Sequence, residues 1–196
     1  VEDEVDTGDT AGDTAEPDGD TGGPEPEEVS IDDLSEGDLI ITEIMVNPSD
    51  CDDADAEYFE IYNAGATALD LTDMTVTDNF STETISYPDI VDAGSFAVGI
   101  LNSTSRCYGL PADFQFDDIA LSNSGDILEI ANSTETLDSV DFSSWTITSG
   151  AALSLDDGAL DATSNDDGAN WCDASATFGG STADLGTPGS ANDSCD

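Results

Sequence analysis

The sequence has almost no positive charge. One of its 196 residues is basic, Arg106, and it contains no lysine and no histidine, whereas 46 residues are acidic, for a formal net charge of -45. Binding to nucleic acids or to anionic membranes needs clustered lysine and arginine. We therefore expect no nucleic-acid partner. We also expect a salty native medium, or one rich in divalent cations, because these screen self-repulsion.

The missing histidine and lysine also exclude common catalytic arrangements. Without histidine there is no Ser-His-Asp or Cys-His set, and without lysine there is no P-loop or Schiff-base site. Two carboxylates can serve a glycosidase. In a chain with 46 acids, however, finding two is no evidence for one. We expect a protein that is not an enzyme.

Long hydrophobic runs are absent. No stretch approaches the roughly 18 to 20 apolar residues of a membrane-spanning helix, and the start of the sequence lacks a basic region followed by an apolar one. The sequence therefore predicts no direct insertion into a membrane. The hydrophobic content of 37% is enough to build one core.

Closely spaced cysteine pairs are missing too. The four cysteines, Cys51, Cys107, Cys172 and Cys195, contain no CxxC pair, so two disulfides are favoured over zinc or redox motifs. Disulfides indicate an oxidising environment, extracellular or at the cell surface. Three pairings are possible. Cys172 and Cys195 flank a GTPG turn and would clamp the C-terminal segment, so we favour Cys172 with Cys195 and Cys51 with Cys107.

Residues 1–36 differ from the rest of the chain. They hold 15 acids and three prolines but no aromatic residue, and they repeat Gly-Asp-Thr three times. Such a segment cannot bury enough apolar surface to offset its ordering entropy, so we predict an extended acidic leader or tether. A plain spacer is one role. Docking on a neighbouring copy by edge-strand addition is the other, with Val29, Ile31 and Leu34 as apolar anchors.

Residues 37–196 have the composition of a single β domain. Short runs rich in β-branched and aromatic residues are separated by turn residues, and no stretch of ten or more residues shows a helical stripe. The predicted strands are 38–46, 56–64, 69–78, 95–101, 126–132 and 137–142. In EYFEIYN, Phe59 and Ile61 should point inward, opposite Tyr58, Glu60 and Tyr62. Many short strands with frequent turns predict an all-β sandwich.

Four segments of this domain carry a family resemblance. They are GDLIITEIMVNPS, EYFEIYNAGATALDLTDMTVTD, LSNSGDILEIAN and the closing LSLDDGALDATSNDDGANWCDASATFGGSTADLGTPGSAN, which span about residues 37–192. In this order they resemble the lamin tail domain of bacterial secreted and surface proteins. Tyr58 and Met74 stand where tryptophan is common in that family, which changes core volume and not chemistry.

The resemblance implies an immunoglobulin-like β-sandwich with a structural or binding role and no enzymatic activity. The nucleic-acid contacts attributed to animal lamin tails have no basic residues here to make them. We therefore expect an extracellular module that associates with itself as a subunit of a cell-surface assembly, such as a filament. The alternative is a monomeric calcium-dependent adhesion or ligand-binding domain.

Calcium is the one cofactor that the acidic clusters suggest. Carboxylate and carbonyl oxygens at short spacing suit this hard cation. The first candidate site consists of Asp50, Asp52, Asp53, Asp55 and Glu57. A second cluster consists of Asn165, Asp166, Asp167, Asn170 and Asp173. Neither matches an EF-hand loop, and an acidic loop in contact with solvent is the alternative interpretation of both clusters.

Overall fold

The structure of the protein is a computed structural model that describes residues 28–87, 89–101 and 106–195. The conformation predicted for residues 1–27 of the leader lies outside these ranges. Among the described residues, no helix is long and apolar enough to cross a bilayer. The chain forms an all-β sandwich, which confirms the fold class expected from the sequence.

Thirteen strands and one single-turn helix, α1 (Asp53–Ala56), carry the fold within the described ranges. The strands are β1 (Val29–Ser30), β2 (Leu39–Met45), β3 (Tyr58–Asn63), β4 (Leu69–Asp70), β5 (Thr75–Thr77), β6 (Thr82–Thr84), β7 (Ile90–Val91), β8 (Phe96–Leu101), β9 (Phe114–Phe116), β10 (Ile127–Ala131), β11 (Thr136–Asp141), β12 (Leu153–Leu155) and β13 (Trp171–Asp173). Five of the six predicted strand segments contain at least one of them, and the sixth, 137–142, overlaps β11.

Two sheets form the sandwich. The larger sheet has the order β13-β12-β2-β3-β8-β9, in which only the β8–β9 pair is parallel. The second sheet has the antiparallel order β11-β10-β5-β6. A small third sheet, β1-β4-β7, lies beside them. The strands β2 and β3 are therefore central, and both of their faces need cover.

The main core fills the space between the two large sheets. Phe59 stacks on Phe116 at 5.5 Å between ring centroids and meets Phe114 edge-on at 5.4 Å. Gly99 lies against the Phe114 ring, where a Cβ atom has no room, so the sequence needs glycine at this strand position. Packed aromatic pairs of this kind dominate core energetics.

The boundary predicted between leader and domain at residue 36 is wrong. Val29 pairs with Leu69 in β4, and Ile31 and Leu34 are 1% and 6% exposed within the main core. The Nδ2 group of Asn132 donates to the carbonyl oxygens of Ile31 (3.1 Å) and Leu34 (2.9 Å). Buried in their own domain, Ile31 and Leu34 are not available to anchor the leader on a neighbouring copy, which corrects that expectation.

A second, smaller core covers the outer face of the larger sheet. It contains Met45, Tyr58, Val98 and Ile100, and residues of the C-terminal segment pack against it. The Phe178 ring meets Tyr58 edge-on at 6.0 Å. The strand alternation predicted for β3 is thus correct, but the face that carries Tyr58 is buried as well. This second face is where the polar sites described below are found.

Candidate functional site

Two glutamates lie side by side on the covered outer face of the larger sheet. Glu43 in β2 pairs directly with Glu60 in β3, and both side chains are 0% exposed. A β-bulge between Ile41 and Glu43 resets the alternation, so that Glu43 falls on the same face as Tyr58. We call Glu43 and Glu60 the glutamate pair.

The glutamate pair holds the turn at residues 186–189. The carboxylate of Glu43 accepts hydrogen bonds from the Thr187 amide at 2.8 Å and the Tyr58 hydroxyl at 2.9 Å. The carboxylate of Glu60 accepts from the Gly189 amide and the Thr42 hydroxyl, both at 2.7 Å. Each glutamate thus ties one end of the GTPG turn to the sheet.

Asn192 completes this attachment. Its Nδ2 group donates to the carbonyl oxygens of Thr42 (2.7 Å) and Leu155 (2.9 Å), and its Oδ1 accepts from the Thr187 hydroxyl at 2.7 Å. Gly186 lies against the Tyr58 hydroxyl with no space for a Cβ atom. The segment GTPGSAN therefore packs over the glutamate pair on the outer face of the larger sheet. Its contacts explain why the segment has glycine at Gly186 and asparagine at Asn192.

Burial changes the protonation of the glutamate pair. Desolvation raises the pKa of Glu43 to about 7, against the hydrogen bonds from Thr187 and Tyr58 that lower it. Desolvation and then the charge of Glu43 raise the pKa of Glu60 to about 8. The two groups titrate together near neutral pH. Two such carboxyls suit acid–base chemistry, and both are 0% exposed beneath the turn.

The side chains of the first acidic cluster contact different parts of the chain. Asp50 accepts from the amides of Thr182 (2.6 Å) and Ala183 (2.9 Å), and these bonds hold its pKa below the usual value. In return, Asp184 accepts from the amide (2.7 Å) and hydroxyl (2.8 Å) of Ser49. Asp50 and Asp184 therefore form a reciprocal clamp between the loop before α1 and the C-terminal segment.

The other residues of this cluster turn elsewhere. Asp53 accepts from the Asn123 side chain at 2.9 Å, and Asp52 is exposed at the start of α1. Asp55 is half-buried within α1. Glu57 is buried and accepts from the Leu121 amide at 3.2 Å. Burial raises the pKa of Glu57 to about 8, and the charges of Asp53, Asp126 and Asp78 add to that.

The second cluster is likewise dispersed. Asn165 is buried and donates to Asp138, Asp167 caps the 3-10 turn at the Ala169 amide, and Asn170 donates to Ser164. Asp173 accepts from the Thr148 hydroxyl, and Asp166 is exposed. Within the part of the chain that the structure describes, no three acidic or cysteine side chains are grouped so that they could hold a metal ion. The predicted calcium ligands are thus not brought together.

Asp138 is a further buried acid that sequence reasoning did not find. Its Oδ2 accepts from the Ile41 amide and the Asn165 side chain, both at 2.6 Å. Desolvation raises the pKa of Asp138 to about 7, while Oδ1 of Asp138 and Oδ1 of Asn165 have no hydrogen-bond partner among the residues that the structure describes. A proton on Asp138 near neutral pH removes the charge that makes this burial costly.

Two disulfides secure the same regions. Cys51 pairs with Cys107, and Cys172 pairs with Cys195, which is the favoured pairing of the sequence analysis. The first joins the acidic loop to the 3-10 turn after β8, and the second joins β13 to the end of the described chain. Two disulfides indicate an oxidising, non-cytoplasmic environment.

No family model matches the chain, and no curated protein matches it at a significant level.

The sequence did contain a signal for the glutamate pair. Glu43 and Glu60 each interrupt a run of β-branched and aromatic residues in a predicted strand. A carboxylate at such a position is normally expected to face solvent, because an antiparallel sheet often has one open face. The two glutamates can be recognised as buried only if the second face of the sheet is known to be covered. Asp138 and Asp184 offer no comparable signal, because they stand among many other acids.

Proposed function

We propose that this chain is a non-enzymatic structural or interaction module of the cell surface or extracellular medium, similar to a lamin tail domain. The observation that supports this most is the use of four carboxylates, of which Glu43, Glu60 and Asp184 are buried. They accept hydrogen bonds from loop backbones: the glutamate pair attaches the C-terminal segment to the sheet, and the Asp50–Asp184 clamp attaches it to the loop before α1. Carboxylates that are hydrogen-bonded within the protein stabilise its fold, and contacts with partners are then made by the rest of the surface.

The first hypothesis to test is self-association, in which the module assembles with further copies of itself. A net charge of -45 opposes association at low ionic strength, and salt above physiological strength shortens the Debye length to a few ångströms. We expect reversible, concentration-dependent association at about 2 M NaCl and a monomer at about 0.05 M NaCl. Sedimentation velocity on the full chain measures both states.

A truncation separates the contribution of the leader from that of the sandwich. Deleting residues 1–27 leaves β1 and the buried Ile31 and Leu34 in place, whereas a cut at residue 36 removes part of the core. Association that is lost with residues 1–27 assigns assembly to the leader, and association that persists assigns it to the sandwich.

Two results contradict parts of this proposal. A chain that stays monomeric at every salt concentration excludes assembly and leaves a module with a different partner. A hydrolytic activity that disappears in Glu60→Gln excludes the non-enzymatic role itself, since Glu60 belongs to a buried pair of carboxyls whose pKa values are raised toward neutral pH.

A further inference from the structure

The strand β6 (Thr82–Thr84) has a free outer edge. It is the last strand of the β11-β10-β5-β6 sheet, and no other described strand pairs with its outer side. The hydrogen bonds Asp78 N to Ser81 O and Ile85 N to Met74 O set the alternation of the ladder with β5. In that alternation Thr82 and Thr84 turn their amide and carbonyl groups outward, and the Thr84 carbonyl accepts the exposed Ser86 hydroxyl at 3.3 Å, a bond that an added strand would replace.

Exposed aromatic side chains stand at both ends of this edge. Phe80 precedes β6 and is 85% exposed, and Tyr87 follows it and is 71% exposed. The other large apolar side chains exposed among the described residues, Ile90 and Ile127, reach only 45% and 36%. Aromatic rings left in water beside a free strand edge are typical of a surface that binds a partner.

Two acidic pockets flank Tyr87, between β6 and the edge strand β9 of the other sheet. One has a volume of about 390 Å³ and is lined by Glu83, Thr84, Ser86, Tyr87, Gln115 and Asp117. The other has a volume of about 360 Å³ and is lined by Tyr87, Asp89, Ala112, Asp113, Phe114 and Gln115. Their described linings contain four carboxylates and no basic side chain. We call the edge of β6 with these two pockets the edge groove.

The edge groove is acidic and preformed. Partial burial, followed by the charges of Asp113 and Asp70, raises the pKa of Asp89. Glu83 accepts from the amides of Asp117 (2.6 Å) and Asp118 (2.9 Å), so the loop after β9 is held against β6. Asp113 accepts one backbone amide at 2.8 Å. A cation placed in the groove meets the carboxylates of Glu83, Asp89 and Asp113.

We propose that the edge groove binds an extended, basic segment of a partner polypeptide as an added strand next to β6. The outward backbone groups of Thr82 and Thr84 pair with the segment's main chain. Its lysine or arginine side chains enter the pockets beside Tyr87, whose ring face attracts a cation. This inference rests on the proposed role as an interaction module and adds the chemistry of the partner.

A second copy of this chain does not meet that requirement. The whole sequence holds one basic residue, Arg106, and no lysine. Two acidic grooves brought together would repel each other. The basic segment therefore comes from a different protein.

The test measures binding of a fluorescent peptide of about ten residues that alternates lysine and threonine. Any lysine-rich peptide is attracted to so acidic a chain, so the control carries the same charges with N-methyl groups on alternate backbone amides. N-methylation removes backbone donors and leaves charge unchanged. At about 150 mM NaCl we expect the control to bind at least about tenfold more weakly.

Matched protein variants locate the site. Thr84→Pro removes the outward amide and should weaken binding about tenfold, whereas Thr84→Ala keeps that amide and should bind like the wild type. Tyr87→Ala should weaken binding roughly two- to fivefold. Ile127→Ala, an exposed apolar residue on β10, should have no effect.

Equal binding of the N-methylated and unmodified peptides would overturn the proposal, as would unchanged binding to Tyr87→Ala. Because the peptide variants need no change in the protein, a folding defect of Thr84→Pro leaves the test intact. Peptide binding is also independent of sedimentation behaviour. Failure here therefore removes the edge groove, and failure of the salt-dependent association removes only assembly.

Discussion

The two faces of the larger sheet are both buried, but by different means. The inner face packs Phe59, Phe114 and Phe116 against the second sheet in a large apolar core. The outer face carries a smaller apolar cluster and the glutamate pair, which hydrogen-bonds the cover at residues 186–189. Hydrocarbon packing holds one face, whereas carboxylates and a disulfide hold the other. The four predictions below test that difference.

The largest effect is expected on the inner face. Phe59→Ala removes a ring with two aromatic neighbours and leaves a cavity, so we expect a loss of about 3–5 kcal/mol in the free energy of unfolding. Tyr58→Phe, on the outer face, removes only the hydroxyl bonded to Glu43 and should cost about 0.5–1.5 kcal/mol. Chemical denaturation at high salt measures both. Similar losses for the two variants would contradict a division of roles between the faces.

The next effect concerns the disulfide of the outer face. Cys172 and Cys195 are separated by 23 residues, so the Cys172→Ser, Cys195→Ser double variant should lose roughly 3 kcal/mol in the chain-entropy model. We also expect the segment after residue 185 to exchange its amide hydrogens faster than β3, because only hydrogen bonds such as those to the glutamate pair then attach it to the sheet. Uniform acceleration over the whole domain would show that the cover and sandwich open as one unit.

A smaller effect with a defined pH range comes from the glutamate pair. Each of these glutamates has a higher pKa in the folded protein than in the unfolded chain, so at intermediate pH the folded protein holds a proton that the unfolded chain has lost. The stabilisation that is present below about pH 4.5 is therefore lost as the pH rises through about 7 to 8. We expect the Tm to fall by roughly 5 °C or more between about pH 6 and pH 9.

Two substitutions assign that pH dependence. Glu60→Gln keeps an acceptor for the Gly189 amide and offers its own amide group to Thr42, whose hydroxyl then accepts instead of donating, so it should flatten the Tm profile above pH 7 and raise the Tm at pH 9. Glu135→Gln, at an exposed position, is the control for loss of one negative charge. If Glu135→Gln has the same effect as Glu60→Gln, general repulsion and not the buried pair is the cause.

The smallest effect is expected from calcium. Asp50 and Glu57 are engaged with different loops, so we expect CaCl2 and MgCl2 to raise the Tm equally, as counterions. A variant with Asp52→Asn, Asp53→Asn and Asp55→Asn should respond like the wild type. A calcium-specific rise that this variant loses would establish the predicted site, and titration calorimetry would then give its stoichiometry.

The sequence predicted some features of this molecule better than others. Each predicted strand segment contains or overlaps an observed strand, because period-two alternation and turn residues are local signals. The pairing of Cys172 with Cys195 followed from their position around the GTPG turn. The leader boundary was misplaced, since Ile31 and Leu34 belong to an acidic, proline-containing stretch whose composition conceals two core residues.

The sequence by itself determined the fold class, the acidic surface and the exclusion of histidine and lysine chemistry, because each depends on composition or on spacing along a few residues. Only the tertiary structure decided which carboxylates are buried. Glu43 and Glu60 differ from dozens of other acids in one respect: a segment more than a hundred residues away in the chain folds over them. Burial sets the pKa and the hydrogen-bond partners of a carboxylate, and burial is a property of the assembled sandwich.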